Sequence, residues 1–219
     1  EKVRVVTEDR EDGQPGGPAV LGYRPGAEDK PTVLLYAHHD VQPTGDESLW
    51  NTPPFEATRV GDRLYGRGAA DDKAGIMLHL AALKALQAAA PEVGVGVRVF
   101  FEGEEEAGSP TFRTFLENQK ADLQADAIVV ADSANWAVGE PALTTSLRGV
   151  ADGTVTVRVL DHAVHSGMFG GPVLDAVTLL CRLIATLHDE QGNVAVPGVA
   201  AQVHADVDYS EQTLSLIHI

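Results

Sequence analysis

Two histidines and an aspartate stand directly behind an apolar run in LLYAHHDVQP, residues 34–43. A neutral imidazole at a strand end, backed by a carboxylate, is a common way of holding zinc. The plainer reading is a strand running into a polar turn closed by Pro43, and this stretch alone favours it. More acids follow in comparable places: Asp71 in LYGRGAADDKAG, Glu104, Glu105 and Glu106 in FFEGEEEAGS, and Asp132 in VVADSANW. Each has an ordinary explanation by itself: Asp71 as a helix cap, the glutamates as a solvated loop, Asp132 as a turn residue. One histidine and several carboxylates at three successive strand ends describe instead a crevice suited to divalent cations.

Side chains alternate faces along a strand, so His38 and Asp40 point one way and His39 the other. His38 with Asp40 then makes a ligand and the carboxylate that fixes its tautomer. His39 is left as a packing or surface residue.

The elements that must carry these groups follow from patterning. TVLLYAHH (32–39) reads as a buried strand, VGVRVFFEG (95–103) as a second and DAIVVAD (126–132) as a third. Between them, IMLHLAALKALQAAA (76–90) reads as a helix, and PTFRTFLENQK (110–120) as another opened by Ser109 and Pro110. Strands alternating with helices predict an α/β fold, a mostly parallel sheet with helices on both faces. From Thr144 the texture changes to TTSLRGVADGTVTVRVL, whose alternation predicts a half-exposed strand. HSGMFGG then leads into a helix over 172–187. A domain boundary is placed near Arg148, dividing the chain into 1–147 and 148–219, the second being the start of a smaller α+β domain.

Composition narrows the function classes. Asp and Glu number 32 against 16 Lys and Arg, a formal charge of −16, which argues against nucleic acid and anionic membranes as partners. The single cysteine, Cys181, excludes an internal disulfide and fits a reducing, cytoplasmic compartment. Its apolar neighbours at helical spacing predict a core position. No signal peptide or membrane-length apolar run is present in the sequence. Both ends look cut, as in a fragment of a longer protein.

The blocks YAHHDVQP, LYGRGAADDKAG, FEGEEEAGS, VVADSANWAVGEPALTTSLRG and HSGMFGG, in this order, resemble those of a two-metal peptidase superfamily. It includes carnosinase and bacterial dipeptidases, acetylornithine deacetylase, succinyl-diaminopimelate desuccinylase and glutamate-releasing carboxypeptidase. The wording of HDVQP and EGEEEAGS leans toward the dipeptidase branch. The resemblance implies hydrolysis of an amide bond in a dipeptide, or alternatively in an N-acyl amino acid. It implies two divalent metal ions, zinc first, with manganese or cobalt compatible. Carried over by position, His38, Asp71, Glu106 and Asp132 would be metal ligands, Asp71 bridging both ions. Glu105 would be the general base, and Asp40 would orient His38. Glu104 would take the variable position.

His165 would be the histidine that one subunit of a homodimer lends to its partner's active site, with 148–219 serving as lid and dimerisation domain. The resemblance also implies a cis Asp71–Asp72 peptide bond. It implies a last histidine ligand near the end of a much longer chain, whose context neither His204 nor His218 matches, so this chain by itself would be inactive, a metal-binding module at most. Ala37 stands where the family usually has glycine.

Overall fold

A computed structural model describes residues 2–199 of the 219, apart from 146, 148 and 151. The chain divides into two compact units, Glu1–Ser146 and Leu147–Ile219.

The first unit is built on β1 (Lys2–Val6), β2 (Ala19–Arg24), β3 (Thr32–His38), β4 (Thr58–Val60), β5 (Arg63–Tyr65), β6 (Gly96–Glu102) and β7 (Ala127–Val130). Five of these form one sheet in the order β1-β2-β6-β3-β7, while β4 and β5 make a separate hairpin. β3 runs parallel to both of its neighbours, β6 and β7, while β1, β2 and β6 pair antiparallel in succession. The sheet is therefore parallel where the sequence predicts it, with two antiparallel strands added before residue 32. The parallel pairs require crossovers. Helix α1 (Lys73–Ala89) lies between β3 and β6 along the chain, and α2 (Phe112–Asn118) and α3 (Lys120–Leu123) lie between β6 and β7.

Residue alternation shows that these crossovers cover opposite faces. Phe100 packs with Tyr36, Phe112 and Phe115 at ring separations of 5.5–5.9 Å, which places α2 on one face. Phe101, next along β6, stacks on His79 of α1 across the other. His79 is held there by a hydrogen bond of 2.9 Å between its Nε2 and the Tyr36 carbonyl. Ala19, Leu21, Leu34, Phe100, Phe115 and Leu123 make up the buried core on the α2 side.

Four expectations are corrected. DAIVVAD forms a strand, but as β7 it pairs only with β3, and Ile128, Val129 and Val130 are exposed rather than buried. The helix at 110–120 starts at Phe112 behind its cap Thr111, because Ser109 has φ +50° and cannot begin a helical turn. No strand forms among the described residues of 144–160, most of which belong to the second unit. A strand needs a neighbour to take its backbone groups, and the described part of that unit supplies none. What it does contain is α4 (Ser166–Phe169) and α5 (Ala176–Ala185), the latter capped by Asp175, which accepts from the Thr178 N–H at 2.7 Å. Cys181 of α5 is exposed, not core, since nothing covers that face among the described residues. No helix of the described residues is long and apolar enough to cross a membrane.

Phe115 is 1% exposed and touches the most crowded part of the core. Phe115→Ala is expected to destabilise the chain by about 3–5 kcal/mol, measured by urea unfolding followed by circular dichroism. A loss below about 1 kcal/mol would show that this core is not what holds α2 to the sheet.

Candidate metal centre

β6, β3 and β7 end side by side, and the chemistry-bearing residues sit on or just past those ends. His38 is the last residue of β3 and is fully buried. Its Nε2 lies 2.9 Å from Asp71 Oδ1 and 3.9 Å from both Glu105 Oε2 and Asp132 Oδ1. His38, Glu105 and Asp132 each bring one ligand atom into a group whose members lie within 4.8 Å of one another. Three acids from three separate stretches of chain thus converge on one imidazole nitrogen.

The other nitrogen faces Asp40. Nδ1 lies 3.3 Å from Asp40 Oδ1, within ion-pair reach though not aligned as a hydrogen bond. The Asp40 carboxylate also accepts the backbone N–H groups of Glu105 (3.2 Å) and Glu106 (3.0 Å). One side chain therefore steadies both the histidine and the glutamate turn. The Glu106 carboxylate accepts from the Gln42 amide at 2.7 Å, so Gln42 holds the second glutamate.

Asp72 is a site residue that the sequence reading missed. It is 2% exposed, accepts the His38 N–H at 3.1 Å and caps α1 by accepting from Gly75 at 3.2 Å. The signal was present: an aspartate immediately before a helical pattern is a preferred N-cap. The Asp71–Asp72 peptide bond is cis. Gly75 permits the first turn of α1 to lie against the Ala131 carbonyl, which a Cβ would strike, and so brings Asp72 close to the loop bearing Asp132.

Electrostatics reflect this crowding. Burial alone would lower the His38 pKa, but the carboxylates of Asp132, Glu105, Asp40 and Asp72 outweigh it and the net shift is upward. Glu105 is raised, first by burial and then by Asp132, Glu106 and Asp40, against the pull of His38. Asp72 is raised chiefly by burial. Glu104 goes the other way: burial would raise it, yet hydrogen bonds from Thr111 and Arg10 hold it below the ordinary glutamate range. A site that raises an imidazole together with the carboxylates of Glu105 and Asp72 has negative charge in excess. One nitrogen and several oxygens make a donor set that fits zinc, manganese or cobalt.

The remaining residues fall as follows. His39 is half-buried with Nε2 2.9 Å from the Pro18 carbonyl, a packing role as expected. His165 lies in the second unit, where its Nδ1 accepts from the Gly167 N–H at 3.1 Å and caps α4. His204 and His218 lie outside the described residues.

Comparison with known proteins decides the family. Residues 34–213 match the model of peptidase family M20/M25/M40. The chain belongs to this family. It is 40% identical over 184 residues to a cysteinylglycine-S-conjugate dipeptidase of Corynebacterium striatum, covering 82% of this chain and 40% of that protein. It is 34% identical over 218 residues to the β-Ala-His dipeptidase of Rattus norvegicus, covering 98% of this chain and 44% of that one. Among solved structures, an M20 family metallo-carboxypeptidase of Sulfolobus solfataricus matches with TM-score 0.66 and 29% identity, over 99% of this chain and 47% of that one. The chain thus spans about two-fifths of the length of these dipeptidase relatives.

An imidazole whose supporting carboxylate is removed typically loses about 10–100-fold in metal affinity. Asp40→Asn is expected to weaken zinc binding by that factor, and His38→Ala by more, read by competition with a chromophoric chelator. Unchanged affinity in His38→Ala would mean that the M20 chain binds zinc elsewhere.

Proposed function

We propose that this chain is the metal-binding part of an M20 dipeptidase that hydrolyses the amide bond of dipeptides. The observation that carries this is the convergence of His38, Glu105 and Asp132 at the ends of adjacent parallel strands. His38, Asp71, Asp132 and Glu106 would hold two divalent ions, zinc in preference, with Asp71 shared. When bound, such a pair acidifies water and polarises a scissile carbonyl.

Glu105 is the residue that moves the proton. Its carboxylate lies beside His38 Nε2, and burial raises its pKa above the ordinary glutamate range, the direction that suits a base that must later act as an acid. It takes a proton from water at its carboxylate oxygen and delivers it to the leaving amine. Asp40 keeps Glu105 in place through its backbone N–H, and its carboxylate, 3.3 Å from His38 Nδ1, favours a proton on that nitrogen so that Nε2 can ligate. His165 suits the part of oxyanion donor in a homodimer. Its Nδ1 accepts a hydrogen bond, so the proton of the neutral ring sits on the exposed Nε2. The second unit, Leu147–Ile219, would be the lid and dimerisation domain, and a single cysteine suits a cytoplasmic enzyme. An S-conjugate of cysteinylglycine and β-Ala-His, the substrates named for the relatives, belong in the first substrate panel.

The test is Glu105→Gln in the full-length enzyme, assayed on dipeptides with added zinc or manganese. Hydrolysis is expected to fall by about 10²–10⁴-fold while metal content stays the same. Loss of metal with the activity would make Glu105 a ligand rather than the base.

A further inference from the structure

The run Glu104–Glu106 holds three like residues in three different settings, and the first is the least like a surface acid. Glu104 is 4% exposed. Its Oε1 accepts from Arg10 Nη2 at 2.5 Å and Nε at 3.2 Å, and its Oε2 accepts from Thr111 Oγ1 at 2.6 Å. The Gly17 N–H also donates to it. Its backbone carbonyl accepts the N–H groups of Ala107 and Ser109, closing the turn that carries Glu105 and Glu106.

Arg10 and Gly17 come from one segment, residues 8–18, which is a folded strap. Arg10 N–H donates to Gln14 and Gly16 N–H to Glu8, at 2.8 and 2.9 Å. The strap is tied to the end of α2, where the Glu8 carboxylate accepts from Asn118 and Gln119 at 2.8 and 2.6 Å. At its other end Pro18 receives the His39 ring at 2.9 Å. Between these ties it lies so close to the glutamate turn that a Cβ on Gly17 would sit 2.5 Å from the Gly103 carbonyl and 2.6 Å from Glu104 Cγ. Backbone touches backbone here, with room only for glycine.

We propose that the strap 8–18 is a positioning device for the metal centre. Through the Arg10–Glu104 pair and the Gly17–Gly103 contact, it fixes the turn that aims Glu105 and Glu106. Asp40 and Gln42 hold that turn on the side of the metal residues, and the strap holds it from the other side. The inference rests on the reading of Glu105 and Glu106 as base and ligand. Misplacing supporting residues by about 1 Å is enough to spoil such a site.

Zinc affinity separates positioning from mere stability. The dissociation constant is measured by chelator competition, well below the melting temperature, for the unsubstituted chain, Gly17→Ala, Glu104→Gln, Arg10→Ala and Arg10→Lys. Leu123→Ala, in the core away from the turn, is the stability control, and His38→Ala the metal control. Gly17→Ala, Glu104→Gln and Arg10→Ala are expected to weaken zinc binding at least tenfold, with Arg10→Lys recovering part of the loss. Leu123→Ala is expected to lower the melting temperature without changing affinity. Unchanged affinity in the folded strap variants, with His38→Ala losing zinc, would overturn the positioning role and leave the metal site standing. Should the two buried substitutions unfold the chain, Arg10→Ala alone decides, since its side chain is 42% exposed. Absence of zinc binding by the unsubstituted chain would overturn both readings.

Discussion

Mutual repulsion among carboxylates gathered around a single buried imidazole governs this structure. Two like charges 4 Å apart in a partly buried setting repel by about 4 kcal/mol, and four acids surround His38 within that order of distance. One imidazolium offsets only one of them. The chain holds the arrangement by committing backbone and side-chain donors to individual acids: the amides of Glu105 and Glu106 to Asp40, the His38 and Gly75 amides to Asp72, and Gln42 to Glu106. Each bond fixes a position, and together they keep the acids convergent where solvation would spread them.

The fold is the means of bringing those donors together. Parallel strands end at the same level, so loops that are distant in sequence meet at one edge of the sheet. β3 lies between β6 and β7 and supplies the histidine; its neighbours supply the acids from either side. The aromatic stack on the α2 face and the His79–Phe101 contact on the α1 face hold the sheet between two layers. The negative charge of the chain as a whole, −16, is in keeping with a protein that recruits cations.

Much of this was legible in the residues. Apolar runs punctuated by proline and glycine marked β3, β6 and α1 to within a few residues, and the polar groups directly behind them marked the convergence. Alternation along β3 separated His38 from His39. What was not legible depends on long-range pairing. β2 pairs on the edge that β6 offers, a partner far along the chain, and β1 pairs on the edge that β2 offers. β7 reads as buried because Ile128, Val129 and Val130 are apolar, but burial depends on what packs over a strand, which spacing along the chain does not encode. Glu104 looked interchangeable within a glutamate run; only the folded strap, 94 residues away in sequence, shows it to be an anchor.

Zinc-edge X-ray absorption on the zinc-loaded chain tests the central claim most directly, because it reports the ligand atoms themselves. A first shell of nitrogen and oxygen at about 2.0–2.2 Å, with the outer-shell signature of one imidazole, is the result expected from His38 among carboxylates. A sulfur shell near about 2.3 Å, or two or more imidazoles per zinc, would contradict it and place the metal away from the ends of β6, β3 and β7.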